Sequence, residues 1–253
     1  MKCIDLNSDM GEIREVVFDG AQESLMRSLT SVNIACGAHA GDRAMMKATI
    51  DQAVRWNLSL GAHPGYPDRD NFGRVEMDMA PGAVAESVFQ QVSVLAELAG
   101  EAGARLVHVK PHGALYNQAG KDRKIARAIA DGVARWNPNV ILVGLAGSLM
   151  LDVFREAGFA VAAEAFADRR YEADGSLRAR KFDDALIRQP AQAAQQASRI
   201  VQAESVTACD GAEVPISAQT ICIHGDTPGA AEIAAAVAQA LRDARIELRP
   251  LAR

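Results

Sequence analysis

The sequence predicts an α/β protein that folds as a closed or nearly closed barrel of parallel strands with helices outside. Short β-type runs alternate with helical stretches along the 253 residues, and such alternation is typical of parallel sheets. Polar and ionisable residues follow several of these runs, at the strand ends where barrels of this kind form their sites. Seven or eight strand–helix units would close the barrel, and an open doubly wound sheet is the alternative.

The strand-like runs are short and apolar, and helical stretches separate them. The runs cover residues 2–7, 31–36, 58–62, 105–110, 139–144, 159–165 and 220–224. The helical stretches cover residues 22–30, 42–56, 81–102, 122–136, 148–157 and 190–203, and a last helix runs from about 227 to about 245. Pro81, Pro190 and Pro228 fall at helix starts, where the first turn tolerates proline.

No low-complexity linker divides the chain, so we expect residues 1–253 to form a single barrel domain. Residues 171–187 and 209–218 are polar, glycine-containing insertions. We expect them to form loops or a small hairpin that covers one end of the barrel.

Composition and charge exclude several classes of protein. The formal net charge of −5 gives no attraction to nucleic acid. The sequence has neither an apolar signal-peptide core at its amino terminus nor a membrane-spanning apolar stretch. Cys3, Cys36, Cys209 and Cys222 form no C-x-x-C pair, so we expect reduced thiols in a cytoplasmic protein; a catalytic thiol at Cys36, beside His39, is the alternative.

One face of each predicted strand carries the polar groups, because strand side chains alternate between faces. These faces hold Asp5, Asn7 and Asp9; Ser59, Gly61 and His63; His108 and Lys110; Glu164 and Asp168; and Thr220, Cys222, His224 and Asp226. An isolated charge inside a barrel would be strongly disfavoured, but several charges can pair, bind a metal or line a wet pocket. We therefore expect a functional site, with a purely structural ionic network as the alternative.

The side chains that follow the strands are the candidate site residues. They are Asp9, Glu12, His39, Asp42, His63, Lys110, His112, Asp168, His224 and Asp226. Lys110 is suited to bind a substrate carboxylate, a phosphate or a developing oxyanion, or else to pair with Asp9. Asp42 either contributes to the site or caps the helix that it begins. Tyr66 and Tyr116 follow glycine- or proline-containing loops and are expected to line the pocket.

Histidines and carboxylates at these positions are also candidate ligands of a divalent metal. Asp9, His39 and His63 form one plausible set, with His112 as an alternative ligand. The other interpretation is that the imidazoles bind substrate or transfer protons. His108 lies one pleat deeper than Lys110, and we expect it to have a structural role.

Six segments of the chain together resemble the LamB/YcsF family, in the family's order. They are residues 5–12, 33–42, 61–68, 108–117, 166–171 and 221–229. The chain departs from the family pattern at Ser8, Ala38 and Asp184, where the resemblance implies a cysteine, a bulky aromatic residue and a nearby glycine.

The resemblance implies a seven-stranded (β/α) barrel related to glycoside hydrolase and deacetylase barrels. It also implies the ring opening of 5-oxo-L-proline to L-glutamate, coupled to ATP hydrolysis, by a complex with 5-oxoprolinase subunits B and C. The chain contains no G-x-x-x-x-G-K-[ST] phosphate loop, so the ATP would be handled with those partners. Whether the chain also forms a homo-oligomer is left open.

We combine the resemblance with strand parity to assign roles. Asp9 or His112 is expected to be the general base, and Lys110 and His63 to contact the substrate or an oxyanion. Substrate contacts are expected from Asn7, Glu12, His39, Asp42, Tyr66, Asp168, His224 and Asp226. Two other hypotheses stay open: a metal-dependent deacetylase of a small N-acyl or carbohydrate substrate, and a non-catalytic subunit that binds a small molecule.

Overall fold

Seven parallel strands close into a barrel in the computed structural model, which describes residues 2–227 and 229–252. In chain order the strands are β1 (Cys3–Met10), β2 (Ser31–Ala35), β3 (Ser59–His63), β4 (Leu106–Val109), β5 (Ile141–Leu145), β6 (Ala160–Phe166), β7 (Ser205–Thr207), β8 (Glu213–Pro215), β9 (Thr220–Cys222) and β10 (Glu247–Leu248). Strands β1 to β6 pair in sequence, and β9 pairs with both β6 and β1, which closes the ring. The predicted barrel is confirmed.

The helices surround the barrel. They are α1 (Arg14–Phe18), α2 (Ala21–Met26), α3 (Arg43–Arg55), α4 (Pro81–Glu101), α5 (Gly113–Ala119), α6 (Arg123–Trp136), α7 (Leu149–Glu156), α8 (Pro190–Ala203) and α9 (Ala230–Asp243). Two short helices, α1 and α5, were not predicted, and α5 was hidden by the loop-like sequence Pro111-His112-Gly113. The predicted start at Pro228 lies outside the described residues, and α9 begins at Ala230.

Helix α4 illustrates how the outer layer packs. Its residues Val84, Val88 and Val92 recur at every fourth position and are buried on one face of the helix. Burying each such side chain contributes about 1.5–3 kcal/mol. The neighbouring α6 approaches closely at Gly132, where an added Cβ would lie 2.5 Å from the carbonyl oxygen of Ala85. A glycine at that point therefore allows the two helices to pack together.

The barrel interior is polar, as strand parity predicted, and its amino-terminal end is filled around Asp5. This carboxylate accepts hydrogen bonds from the hydroxyls of Thr30 at 2.6 Å and Ser31 at 2.8 Å, and from that of Thr220. Burial raises the pKa of Asp5 to about 6, even though the hydroxyl donors act in the opposite direction. These side chains fill the amino-terminal end of the barrel, and the cavity described below lies at the carboxyl ends of the strands.

The two polar insertions lie beside that open end. Strands β7 and β8 form an antiparallel hairpin, with Val206 opposite Val214. The first insertion is held by isolated bridges, one of which joins Arg169 to Leu186 and another Tyr171 to Leu177. None of the helices in residues 2–227 and 229–252 is long and apolar enough to cross a membrane.

Gly61 is a close-packed point of the barrel wall. It pairs with His108 across β3 and β4, beside an irregularity in the register of the two strands. An added Cβ at Gly61 would lie 2.1 Å from His108 Nε2, in the space of the imidazole ring. His108 is buried, and its Nε2 lies 2.7 Å from Asn33 Oδ1, so the ring is fixed by its surroundings.

We therefore predict that Gly61→Ala lowers the free energy of unfolding by about 3 kcal/mol, because the interior is too densely packed to admit the methyl group. The measurement is urea-induced unfolding followed by circular dichroism. The control is Gly82→Ala in the first turn of α4, where an added Cβ meets no atom within 4 Å of it. Equal unfolding midpoints for the two variants would contradict the prediction.

Candidate active site

A cavity of about 860 Å³ opens at the carboxyl ends of the barrel strands. Seven of the predicted site residues line it: Asp9, Glu12, His63, Lys110, His112, His224 and Asp226. The cavity lies at the end of the barrel where the strand-to-helix loops converge, which is where (β/α) barrels carry their sites.

Lys110 lies at the base of this cavity, between two carboxylates. Its Nζ is 2.9 Å from Asp9 Oδ1, 2.9 Å from Glu164 Oε1 and 3.1 Å from Cys222 Sγ. Burial alone would lower the pKa of Lys110, but the charges of the two carboxylates hold it well above its usual range. The lysine therefore stays protonated, and of the two alternatives weighed for it the structure shows the ion pair.

Below Lys110, a layer of amides and hydroxyls connects the strands. Asn7 donates to Glu164 Oε1 at 3.0 Å and to the Thr220 hydroxyl at 2.6 Å. Asn33 donates to both Asn7 Oδ1 and Asp9 Oδ1 at 2.8 Å. Each buried polar group in this layer has a partner, and the layer fixes the orientation of Asp9.

The hydrogen bonds of His63 and His112 determine which ring nitrogens are free. His63 Nδ1 lies 2.7 Å from the carbonyl oxygen of Lys110, and His112 Nε2 lies 2.9 Å from that of Phe72. Because a carbonyl oxygen only accepts, these two nitrogens carry protons. In the neutral rings, the lone pairs therefore lie on His63 Nε2 and His112 Nδ1, which are 2.9 Å apart.

Two carboxylates lie beside these two nitrogens. Asp9 Oδ2 lies 3.2 Å from His63 Nε2, and Glu12 Oε1 lies 3.2 Å from His112 Nδ1. Four acceptor atoms thus converge without a donor among them unless a proton or a metal cation is present. Burial alone would lower the pKa of His63, but the carboxylate of Asp9 raises it, so a proton can be held there.

The remaining groups of the cluster shift in different directions. Burial and the charge of His63 lower the pKa of both His39 and His112 to about 3, so these rings are neutral near pH 7. Burial alone would raise the pKa of Asp9, yet the charges of His63 and Lys110 hold it well below its usual range. Burial raises the pKa of Glu12, and His112 and His63 offset this only in part.

His39 supports the cluster from behind. Its ring stacks on that of His112 with centroids 3.8 Å apart, and its Nε2 lies 3.1 Å from Glu12 Oε1. Gly73, with φ +65°, holds the adjoining loop against this stack, since an added Cβ would lie 2.7 Å from His39 Cβ. Sequence patterns could not predict this contact because it depends on the conformation of the loop.

A second histidine–carboxylate pair lies at the end of β9, the strand that pairs with β1. Asp168 accepts from the backbone N–H of His224 at 2.9 Å, and its Oδ1 lies 2.9 Å from His224 Nδ1. Burial alone would raise the pKa of Asp168, but the charge and hydrogen bonds of His224 lower it, so the carboxylate is ionised. The His224 ring stacks on Phe166, and its position on the cavity wall leaves Nε2 available to a ligand.

Five residues predicted to bind substrate do not line the cavity. Asn7 lies in the amide layer, His39 behind His112, and Asp168 behind His224. Asp42 caps α3, where its side chain accepts from the N–H of Met45, so the capping alternative is the one observed. Tyr66 is buried and donates to Gln118.

The structure also brings residues to the site that had no predicted role. Glu164 belongs to the inward strand face, so parity indicated its position without its ion pair with Lys110. Arg74, Arg169 and Arg180 line the cavity from loops, where no periodicity could place them. The catalytic-thiol alternative is disfavoured, since burial raises the pKa of Cys36 to about 12.

Comparisons with known proteins give a consistent relationship. The model of the LamB/YcsF family matches residues 4–253. A protein of Chloroflexus aggregans, named as the A subunit of 5-oxoprolinase, is 47% identical over 98% of this chain and 99% of its own. The crystal structure of a lactam utilization protein from Thermus thermophilus superposes with a TM-score of 0.91, at 40% identity, over 98% of this chain and 99% of its own.

A more distant structure shares the fold alone. It is a family 4 carbohydrate esterase from Streptomyces lividans, with a TM-score of 0.51 and 11% identity over 98% of this chain and 91% of its own. This likeness shows that a carbohydrate esterase has the same barrel fold.

The buried neutral histidines predict a pH dependence of stability. Burial lowers the pKa of His108 to about 3, whereas an unfolded histidine titrates near 6.5. Below about pH 6.5 the unfolded state therefore binds the extra proton, and stability falls as the pH falls towards 3. We predict that His108→Gln, which keeps a donor for Asn33, makes this fall shallower by about 1.4 kcal/mol per pH unit.

Urea unfolding of both proteins at pH 7, 6 and 5 measures the difference. At pH 7 the histidine is neutral in the folded state and about three-quarters neutral in the unfolded state, so the two curves taken there control for the packing cost of the substitution. An unchanged slope would mean that His108 is protonated in the folded protein.

Proposed function

This chain belongs to the LamB/YcsF family, and we propose that it is the A subunit of a 5-oxoprolinase, which opens 5-oxo-L-proline to L-glutamate with hydrolysis of ATP. The observation that carries the proposal is the full-length likeness to proteins named as the A subunit of 5-oxoprolinase and to a lactam utilization protein. The cavity supports it, because it combines the proton acceptors and donors that a lactam hydrolysis needs.

The first requirement is a base for the attacking water. A general base works best when its pKa lies near the working pH. Asp9 and His112, the two predicted bases, both have lowered pKa values, whereas the pKa of Glu12 is raised. Glu12 also lines the cavity, so we assign the proton-accepting role to its carboxylate.

The second requirement is a proton for the ring nitrogen when the C–N bond breaks. His224 is suited to this step, because Asp168 engages Nδ1 and the ring lines the cavity. The carboxylate of Asp168 fixes the orientation of the ring. The base and the acid therefore come from neighbouring strand ends, because Glu12 follows β1 and His224 follows β9, which pairs with β1.

Lys110 acts on the reaction through its neighbours in this proposal. Its ammonium protons are directed at Asp9, Glu164 and Cys222, so its charge is already balanced before substrate binds. We assign it a positioning role for Asp9. His63, whose pKa is raised by Asp9, is the better group to contact a developing oxyanion.

The cluster also fits a divalent metal. Asp9, His63 and His112 can each offer one ligand atom to a common ion, as can Glu12, His39 and His112. In both His63 and His112 the N–H of the other ring nitrogen donates to a backbone carbonyl, which is the usual support of a metal-bound imidazole. Bound there, a divalent cation would supply Lewis-acid polarisation of the lactam carbonyl.

ATP use is assigned to the complex rather than to this chain alone. An unactivated lactam is a poor electrophile, so phosphorylation of its oxygen is a reasonable means of coupling. The sequence contains no P-loop motif. We therefore propose that subunits B and C supply the nucleotide site, and that the complex works in the cytoplasm, where ATP is available.

A metal-dependent deacetylase is the second candidate, favoured by the Asp9, His63 and His112 group. It would release acetate from a small N-acetylated substrate without ATP. Loss of glutamate formation together with metal-dependent acetate release would favour it over lactam hydrolysis.

We predict that Glu12→Gln lowers kcat for glutamate release from 5-oxoproline and ATP by about 100-fold or more, because general base catalysis contributes this much. The measurement uses the chain combined with subunits B and C. The control is Glu76→Gln, which removes a carboxylate from the rim of the same cavity, where Glu76 pairs with exposed Lys121. Equal activity of both variants would remove Glu12 from the mechanism.

Metal binding distinguishes the predicted ligand set from the one that the geometry favours. If Asp9, His63 and His112 bind the ion, His112→Gln abolishes stoichiometric zinc binding and His39→Gln retains it. If Asp9, His39 and His63 bind it, His39→Gln abolishes zinc binding and His112→Gln retains it. Titration calorimetry with Zn²⁺ on the metal-stripped full chain measures both, and no zinc binding by the unaltered chain would exclude a zinc site.

A further inference from the structure

Arg169 is a buried cation without an ion pair among the described residues. It follows β6 on the cavity wall and is 7% exposed. Its Nη2 donates to the carbonyl oxygen of Arg178 at 2.6 Å, and its Nε has no partner in the part of the chain that the structure describes. Within residues 2–227 and 229–252, no carboxylate lies within 4.0 Å of this guanidinium.

Burying a charged side chain without an ionic partner lowers the stability of the folded state. A buried charge is stabilised in proteins by pairing, and an unsatisfied buried donor carries its full desolvation cost. Burial, followed by the charge of Arg180, lowers the pKa of Arg169 to about 10, so the group remains charged near neutral pH. The folded chain thus keeps an unpaired guanidinium at a cavity wall, where an anionic ligand would complete its bonding.

Two further arginines extend the positive charge to the cavity mouth. Arg74 and Arg180 both contact the same atom, Asp226 Oδ2, and the other oxygen of Asp226 has no partner in the described part of the chain. Arg74 and Arg180 therefore share one carboxylate, Asp226. Asp174, which also lines the cavity, instead accepts from the N–H of Ser176 in its own turn.

Other cations around the cavity are already neutralised. Lys110 is paired with Asp9 and Glu164, and Lys121 with Glu76. Among the described cations that line the cavity, Arg169 is therefore the one without a carboxylate within 4.0 Å. Arginine is also the side chain best suited to planar carboxylate or phosphoryl oxygens, because its N–H groups form a fork.

We propose that Arg169, assisted at the mouth by Arg74 and Arg180, is an anion-binding site that holds the acidic group of the substrate while the reacting ring faces the histidines. This inference rests on the proposed function for the choice of ligand. The anion is either the carboxylate of the lactam acid or a phosphoryl group carried by the activated lactam, and both present the same oxygen chemistry to a guanidinium.

The central test is calorimetric binding to the full chain and to Arg169→Gln. The probes are 5-oxoproline, 2-pyrrolidinone (the same lactam without the carboxylate) and inorganic phosphate. We expect Arg169→Gln to weaken binding of the anionic probe by about 10- to 100-fold, the loss of charge-assisted hydrogen bonds. The matched control is Arg170→Gln, which removes the same charge from the exposed neighbour outside the cavity wall.

The probes distinguish the two sources of the anion. If the site holds the carboxylate, Arg169→Gln weakens 5-oxoproline and leaves 2-pyrrolidinone unchanged. If it holds the phosphoryl group, the variant weakens phosphate and leaves 5-oxoproline unchanged. Binding of neither anion by the unaltered chain, or equal binding by Arg169→Gln, would overturn the proposal.

Two measurements separate this inference from its alternatives. Glutamate release by the complete complex tests the proposed function independently, so an inactive complex with intact anion binding would reject the function and keep the site. Thermal unfolding separates binding from a structural role. Removal of an unpaired buried charge leaves the midpoint unchanged or raises it, whereas a structural arginine would give a large decrease.

Discussion

The interior of this barrel depends on one buried ammonium group. Lys110 is surrounded by Asp9, Glu164 and Cys222, so it joins β1, β6 and β9 to the end of its own strand. In an interior of low dielectric, none of these charges would be tolerated alone. Glu164 extends this network to α5, because it also accepts a hydrogen bond from the hydroxyl of Tyr116. A charge balance at the centre thereby fixes elements on several sides of the mouth.

The same charge balance gives the two cavity carboxylates, Asp9 and Glu12, different pKa shifts. Asp9 is held in its ionised form by Lys110 and His63, whereas Glu12 lies above it with a raised pKa. The two groups are close in sequence, and their pKa values shift in opposite directions because only Asp9 reaches the buried cation. The convergence of imidazole and carboxylate acceptors above the lysine creates a place for a proton or a metal, and supports the hydrolytic chemistry proposed for the family.

Periodicity in the sequence was sufficient for the barrel and for its polar interior. Alternation placed Asn7, Glu164 and Thr220 inside because strands expose every second residue to the same face. It could not show that the side chain of Asn7 is fully bonded to Glu164 and Thr220, because those contacts depend on distances across the fold. It also could not decide between a site role and a helix cap for Asp42, because both fit the same position at the start of α3. His39 and His112 also could not be ranked as ligands, because the free nitrogen of a ring is set by contacts to loop carbonyls. The sequence also could not predict the role of Arg169, because its lack of a partner at Nε depends on the conformation of the surrounding loops.

The plug at the amino-terminal end has a kinetic consequence. Asp5 and its hydroxyl donors fill the floor of the barrel, so among the described residues the cavity has its opening at the mouth. Substrate arrival and product departure therefore share one passage. Substrate would then have to wait for product to leave, and release of product through the mouth would limit how soon the next cycle begins.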